Sequence, residues 1–561
     1  MISVNGGTIT VSTSTQTAVF KNGVLTSLTA ADGRKLLEND CSGEALYIVY
    51  RNNECVPLKN TGHGTVTARQ LSPLKAEYFF EAWDGDGVLE ISEDQETGDV
   101  MIEPEVTSAR RGVIAARMPI KGADKKLNLI APFYQGINMR PEDEILRGRK
   151  WTWPKDWEAG FAILMDNSDG EGFWIHTEDD RYRAKSLMTG FGTSECDIAF
   201  DSEAYGPIDD SLSAGGLVWR INVFSGGWHT PASRYRDWLW KAYQLENEER
   251  HRISWTKDIT FAVSWCPSNA DYIDELAKHV VPGKTLLHLP NWRIYKYDQN
   301  YPDFTPSESF KEFIAYAEGK GFRCMPHANS VDMDPSMPEY PFLQDFKYRE
   351  LESGRFLGWG YESGRILGVP SSNKALDINR VRNVMVKVHP GLAIWRSLLA
   401  KRIDDALVQL GRITDTVFID VTLCSWNLQN CLVDNTTSME GMKKLIEQIE
   451  CLGEGLAVGG EGLNEITMQN LTFAQAHLFD SHHRSRNGLE RCGGIDLNHY
   501  LFGALCRTIG YSGLNGSSEE AVLRERIHEE HGAIPTITDV SLEMLKNPNA
   551  ELIRIFDLAN S

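Results

Sequence analysis

Asp420 and Glu461 are the two residues whose types and placement could carry out a reaction. Each closes a short apolar run, TVFIDVTLC in the first case and GLAVGGEGLNE in the second. Val417, Phe418 and Ile419 form a β-branched and aromatic stretch, the pattern of a strand buried on both faces, and Asp420 stands at its C-terminal end. Between the two runs, Thr437-x-x-Glu440 reads as a capping box before Met442, Leu445, Ile446 and Ile449, an apolar stripe at helical spacing that ends near Gly453. The unit is strand, helix, strand. In a (β/α)8 barrel the C-terminal ends of neighbouring strands open to one mouth, so both carboxylates would meet there. One ionised and one protonated carboxyl are the minimum equipment for cleaving a glycosidic bond. Gly459, Gly460 and Gly462 around Glu461 suggest bare backbone with room for a ligand, whereas Glu465 opens the next apolar run and competes for the role of acid.

Other strand ends add polar and aromatic groups to the same mouth. The first barrel strand, ITFAVSW, ends at Trp265; the second, TLLHLP, leads to Trp292 and Arg293; the third, RCMPHA, leads to His327, Asn329 and Asp332. Trp426 follows Asp420 in VFIDVTLCSWN. Together these could supply donors, acceptors and an apolar platform for a sugar. His482 and His483 follow a sixth strand, FAQAHLF, and with His327 offer a rival reading as a metal-dependent barrel hydrolase, although no HxH or HExxH spacing supports it. Chelator sensitivity separates the two. A non-catalytic carbohydrate-binding protein is the third reading.

The elements that must position these groups fall into two regions. Residues 1–250 alternate short strand-like runs with Gly, Asn and Asp turns, among them GTITVST, ALYIVYR, KAEYFFEAW, GVIAARMPI and LVWRINVF, which predict a β-sandwich followed by a linker helix from PASRYRDWLW. AGFAILMDNSDGEGFWIHTEDD predicts a hairpin turning at Asn167–Gly172, with Glu178, Asp179 and Asp180 as a solvated acidic loop or one that reaches a catalytic mouth. Residues 251–561 alternate strands with helices and predict a (β/α)8 barrel with an insertion at about 335–389. Thr305-Pro306-Ser307-Glu308 predicts a helix start, Pro390 another, VFIDV and LAVGG strands four and five, Tyr500 and Ile534 the neighbourhoods of strands seven and eight, and SLEMLKNPNAELIRIFDL one closing helix.

Composition narrows the partners. With 57 Lys and Arg against 78 Asp and Glu, the formal charge of -21 speaks against nucleic acid or anionic lipid. The 15 Trp and 18 Tyr could stack on sugars, or simply fill β cores. The start MISVNGGTITVST has no secretory pattern and the ten Cys lack zinc or CxxC spacing, so a cytoplasmic protein without a structural metal is expected. The oligomeric state is not legible.

MPHANS, VFIDVTLCSWN and GGEGLNE, each after a barrel strand behind a β-sandwich, resemble a branch of the retaining α-glycosidases related to the α-N-acetylgalactosaminidases and, more distantly, to α-galactosidases and family 31 α-glucosidases. The resemblance implies a carbohydrate substrate, no cofactor, Asp420 as nucleophile and Glu461 as acid/base. Relatives in this group often carry β-domains after the barrel; none is expected within these 561 residues, nor any subsite such a domain supplies.

Overall fold

The computed structural model describes residues 1–40, 43–58, 64–82, 85–190, 197–204, 210–247, 252–297, 299–343, 346, 358–362, 365–366, 384–423, 432–476, 493–511, 513–515 and 521–561. They form two compact units.

The first unit comprises Met1–Tyr243, Gln429–Leu432 and Arg491–Leu497. It is built from antiparallel sheets of five, eleven and six strands. The predicted hairpin is present, with Phe161–Asp166 paired to Glu171–His176. Gly170 takes the turn position at φ +72, a conformation that disfavours side chains. Phe200 from the six-stranded sheet packs 4.7 Å from Trp219 of the eleven-stranded sheet, closing a sandwich core. Trp151, Trp153, Trp157, Trp174 and Trp219 are fully buried, so these tryptophans fill the β core. The acidic loop is not solvated as a whole. Buried Asp179 accepts from Arg183 at 2.9 Å and Lys185 at 3.1 Å, and Glu178 lies 3.4 Å from both His176 and Arg220.

The second unit comprises Gln244–Leu428, Val433–Glu490 and Asn498–Ser561. Its eight parallel strands are β1 (Phe261–Val263), β2 (Thr285–Leu289), β3 (Arg323–Asn329), β4 (Thr416–Asp420), β5 (Ala457–Glu461), β6 (Phe473–Ala476), β7 (Arg507–Gly510) and β8 (Thr536–Ile537). The order β7-β6-β5-β4-β3-β2-β1-β8, with a parallel bridge from Ile509 to Ile534, makes a nearly closed barrel. Ala262, Leu286, Met325, Phe418, Ala457, Phe473 and Ile509, one from each of seven consecutive strands, meet in its core.

Several boundaries differ from those read in the sequence. Tyr500 belongs to helix Leu497–Phe502, and β7 begins at Arg507. The helix start read at Thr305–Glu308 shifts as well: Ser307, not Thr305, caps helix Glu308–Gly319 by accepting from the Phe310 amide at 3.2 Å. Pro390 lies before the helix Ala393–Gln409. The closing segment is two helices, Leu542–Lys546 and Ala550–Asn560, because Pro548 cannot continue the first and Asn549 caps the second. Thr437 caps Ser438–Glu450 as its motif requires. Most of the insertion at 335–389 lies outside the described residues; Asp332–Met333, Gly358–Glu362, Arg365–Ile366 and Val384–Lys387 form a small antiparallel sheet. No helix among the described residues is long and apolar enough to cross a membrane.

Candidate active site

β4 and β5 run parallel with Ile419 opposite Gly460, which sets Asp420 and Glu461 side by side at the strand ends. Their backbones are tied together beyond the ladder. The Thr422 hydroxyl donates to the Glu461 carbonyl at 2.8 Å and accepts from the Glu461 amide at 2.7 Å. Val421 sits at φ +62, the left-handed region that a β-branched residue rarely enters. This turn aims the Val421 N–H at Glu461 Oε2, 2.8 Å away. Strain of this kind, of order 1–3 kcal/mol, persists where the surroundings over-determine it. From the other side Ser330 fixes the end of β4, its hydroxyl donating to the Asp420 carbonyl at 2.8 Å.

Asp420 Oδ2 accepts from the Tyr297 hydroxyl at 3.3 Å and lies 3.5 Å from His327 Nε2. Burial pushes the Asp420 carboxyl above the usual carboxylate range, the negative charge of Glu461 adds to this, and His327 works in the opposite direction. Two coupled carboxyls of this kind hold one proton between them more readily than none. A charged and a neutral carboxyl can therefore coexist there, which is the requirement for attack by one and proton donation by the other.

The remaining sequence-predicted residues separate into mouth and scaffold. Trp265, at φ +56, lies 5.0 Å from the Tyr297 ring and 6.3 Å from that of His327. Asn329 donates to Asp332 at 2.9 Å, and Lys387 donates to the same carboxylate; burial, set against Lys387, keeps the Asp332 pKa raised. Trp292 and Arg293 are committed elsewhere. The Trp292 indole donates to the His327 carbonyl at 2.6 Å and its ring stacks on Phe304, while Arg293 donates to the carbonyls of Gln299, Asp303 and Lys296. Both hold the β2 and β3 loops in shape. Glu465 is buried at 1% exposure beside Asn464, whose side chain caps the turn by accepting from Ile466 and Thr467. Trp426, His482 and His483 lie outside the described residues.

The glycines also need a different explanation. A Cβ on Gly459 would come within 2.5 Å of Met325 Sδ, one on Gly460 within 2.6 Å of Thr422 Oγ1, and one on Gly462 within 2.4 Å of Leu423. They permit close packing under Glu461 instead of leaving room for a ligand. Tyr297 and His288 were missed in the sequence, the first inside an aromatic-rich loop, the second inside an apolar strand. Among the described residues no group of three or more His, Cys, Asp or Glu could hold a metal ion. A largely apolar groove of about 870 Å³ lies away from the strand C-termini, lined by Thr260, Arg507, Pro535 and residues of helices Ala521–Glu530 and Ala550–Asn560.

A β-sandwich unit and a (β/α)8 barrel with acidic residues closing adjacent strands define the class of fold. Residues 217–441 match a family model described as a domain of unknown function, DUF6259. Among solved structures the chain is similar to the α-N-acetylgalactosaminidase NagBb from Bifidobacterium bifidum in complex with Gal-NHAc-DNJ, with a TM-score of 0.68 at 13% identity, covering 98% of this chain and 92% of that one. It is also similar to a GH31 family sulfoquinovosidase from E. rectale, with a TM-score of 0.56 at 11% identity, covering 100% and 82%. No curated protein matches the chain. The fold expected from the α-glycosidase resemblance is thereby borne out.

Proposed function

We propose that the protein is a glycoside hydrolase that cleaves an α-linked sugar with retention, with Asp420 as nucleophile and Glu461 as acid/base. The observation that carries this reading is the placement of the two carboxylates on adjacent strand ends, each with its own set of donors. Similarity in fold to an α-N-acetylgalactosaminidase and a sulfoquinovosidase supports a glycoside as the substrate class.

The reaction needs the proton of the pair on Glu461 and Asp420 ionised, the form that the Tyr297 hydroxyl and His327 favour against burial. Asp420 attacks the anomeric carbon as the glycosidic bond breaks, and the Glu461 proton passes to the leaving oxygen. In the second half Glu461, now ionised, takes a proton from water; the resulting hydroxide equivalent displaces Asp420 and the starting configuration is restored. Tyr297 and His327 donate to the attacking carboxylate without adding a formal positive charge beside the sugar cation. Trp265 offers an apolar face next to them.

An activity screen on α- and β-linked aryl glycosides, read by proton NMR of the first-formed free sugar, tests the reading. The α-glycosides should be cleaved with the α-anomer appearing first. Cleavage with the β-anomer appearing first, or activity lost to EDTA and restored by a divalent metal, would overturn it.

A further inference from the structure

His288 lies one strand behind the site, on β2, and touches neither carboxylate. It is buried at 1% exposure between the Phe418 ring at 4.5 Å and the edge of Trp265 at 5.6 Å. Its two ring nitrogens nevertheless link the backbone to Asp420 through an unbroken series of contacts. The Trp265 amide N–H lies 3.3 Å from His288 Nδ1. His288 Nε2 lies 2.9 Å from His327 Nδ1. His327 Nε2, a buried nitrogen with no hydrogen-bond partner among the described residues, lies 3.5 Å from Asp420 Oδ2 and is aimed at no other acceptor.

The direction of this series follows from its first member. A backbone N–H can only donate, so His288 Nδ1 must accept and carries no proton. A neutral imidazole then has its proton on Nε2, which faces His327 Nδ1 and donates to it. His327 Nδ1 is thereby an acceptor, and the His327 proton sits on Nε2, pointing at Asp420. Burial supports the assignment, since it holds the His288 pKa well below the usual histidine value and keeps that ring neutral.

Resting on the reading of Asp420 as nucleophile, we propose that His288 is a positioning residue that locks His327 in the Nε2–H tautomer and so presents a neutral donor to the attacking carboxylate. The neutrality has a function. An imidazolium at this place would form an ion pair with Asp420 and stand beside a sugar ring that becomes positively charged. The opposite tautomer would turn a lone pair toward the carboxylate and repel it. The locked tautomer avoids both, favours the ionised form of Asp420 by hydrogen bonding, and leaves its negative charge for the anomeric carbon. Trp265 has a second task here, because its amide, held at positive φ, supplies the donor that starts the series.

Long-range 1H–15N correlation spectra of the full-length protein labelled with 15N-histidine test the proposal, with the His327 signals assigned by their disappearance in His327→Gln. The wild-type spectrum should show His327 protonated on Nε2 and bare on Nδ1. In His288→Phe, His327 should lose that single tautomer, and kcat on an activated aryl α-glycoside should fall about 10²-fold with a smaller change in KM. His288→Gln, whose amide can still donate to His327 Nδ1, should recover the Nε2–H tautomer and most of kcat. A wild-type His327 protonated on Nδ1, or on both nitrogens, would overturn the proposal, and this spectrum decides the point even if His288→Phe fails to fold. An unchanged His327 tautomer in folded His288→Phe would overturn it as well. If the tautomer shifts as expected but the wild-type protein turns over no glycoside, the histidine series stands and the functional reading of Asp420 falls.

Discussion

Two buried clusters in this chain combine histidine with carboxylates, and they treat the negative charge in opposite ways. In the sandwich unit, fully buried Asp99 receives Arg234, Arg220 at 3.1 Å and the Asn222 amide at 2.7 Å, with His176 at 3.9 Å. Burial alone would raise its pKa, but the Arg234 hydrogen bonds and the positive charge beside it bring the value down to about 2. At the barrel mouth Asp420 is held by a phenol and an imidazole, and its pKa is raised by burial and by Glu461. The fold supplies guanidinium where a carboxylate must stay ionised and inert. At the barrel mouth it supplies a phenol, an imidazole and a second carboxylate, the arrangement that the proposed exchange of charge needs.

This contrast leads to consequences of very different size. The largest is catalytic: Asp420→Ala should lower kcat on every glycoside substrate by about 10⁴-fold or more, because covalent catalysis loses its attacking group. Asp99→Asn should leave kcat per folded molecule within about twofold of wild type. Next is the loss of a neutralising partner. Arg234→Ala should destabilise the sandwich unit by about 3 kcal/mol in urea unfolding followed by tryptophan fluorescence, since a buried carboxylate is left with less compensation.

Acid should expose the same site without mutation. Asp99 has a folded pKa depressed below its unfolded value, so the stability it contributes is present above about pH 4 and is lost as pH falls toward 2. The difference amounts to about 2 kcal/mol, and Asp99→Asn should remove that part of the pH dependence. Asp420 has the reverse sign. Its folded pKa is raised, so the stability tied to its proton is present below the unfolded value and is lost as pH rises through the folded one. Asp420→Asn should therefore raise the urea midpoint of the barrel slightly at neutral pH, the smallest of these effects. A destabilised Asp420→Asn protein would show that the carboxylate has a structural partner the described residues do not reveal.

The site was legible in the sequence where a strand ended in chemistry. Asp420 and Glu461 follow apolar runs too short to be helices, and parallel strands must be buried on both faces, so the carboxylates could only sit at the ends. Strand β7 was not legible, because the four residues Arg507–Gly510 carry no alternation and the neighbouring LNHYLFGAL is apolar enough for either state. Trp292 and Arg293 stand at the right strand end, but side-chain direction is a property of the loop, and theirs is used to hold that loop together. Glu178 and Asp179 read as solvated acids because their partners, Arg220, Arg183 and Lys185, lie on other strands or depend on a turn that sequence does not reveal. His288 was invisible for a related reason. An isolated histidine in TLLHLP acquires meaning only when β1 and β3 are known to flank it.

The assignment of roles to the two carboxylates is tested most directly by azide rescue of Glu461→Ala on an activated aryl α-glycoside. A good leaving group needs no proton, so Asp420 should still form the glycosyl-enzyme, which then stalls for want of a base. Azide needs no deprotonation and should release it as the α-glycosyl azide, with the configuration of the substrate retained. A β-glycosyl azide from this variant would contradict the account, because it would make Glu461 the group that attacks the sugar; rescue in Glu465→Ala but not in Glu461→Ala would move the acid/base role four residues along the loop.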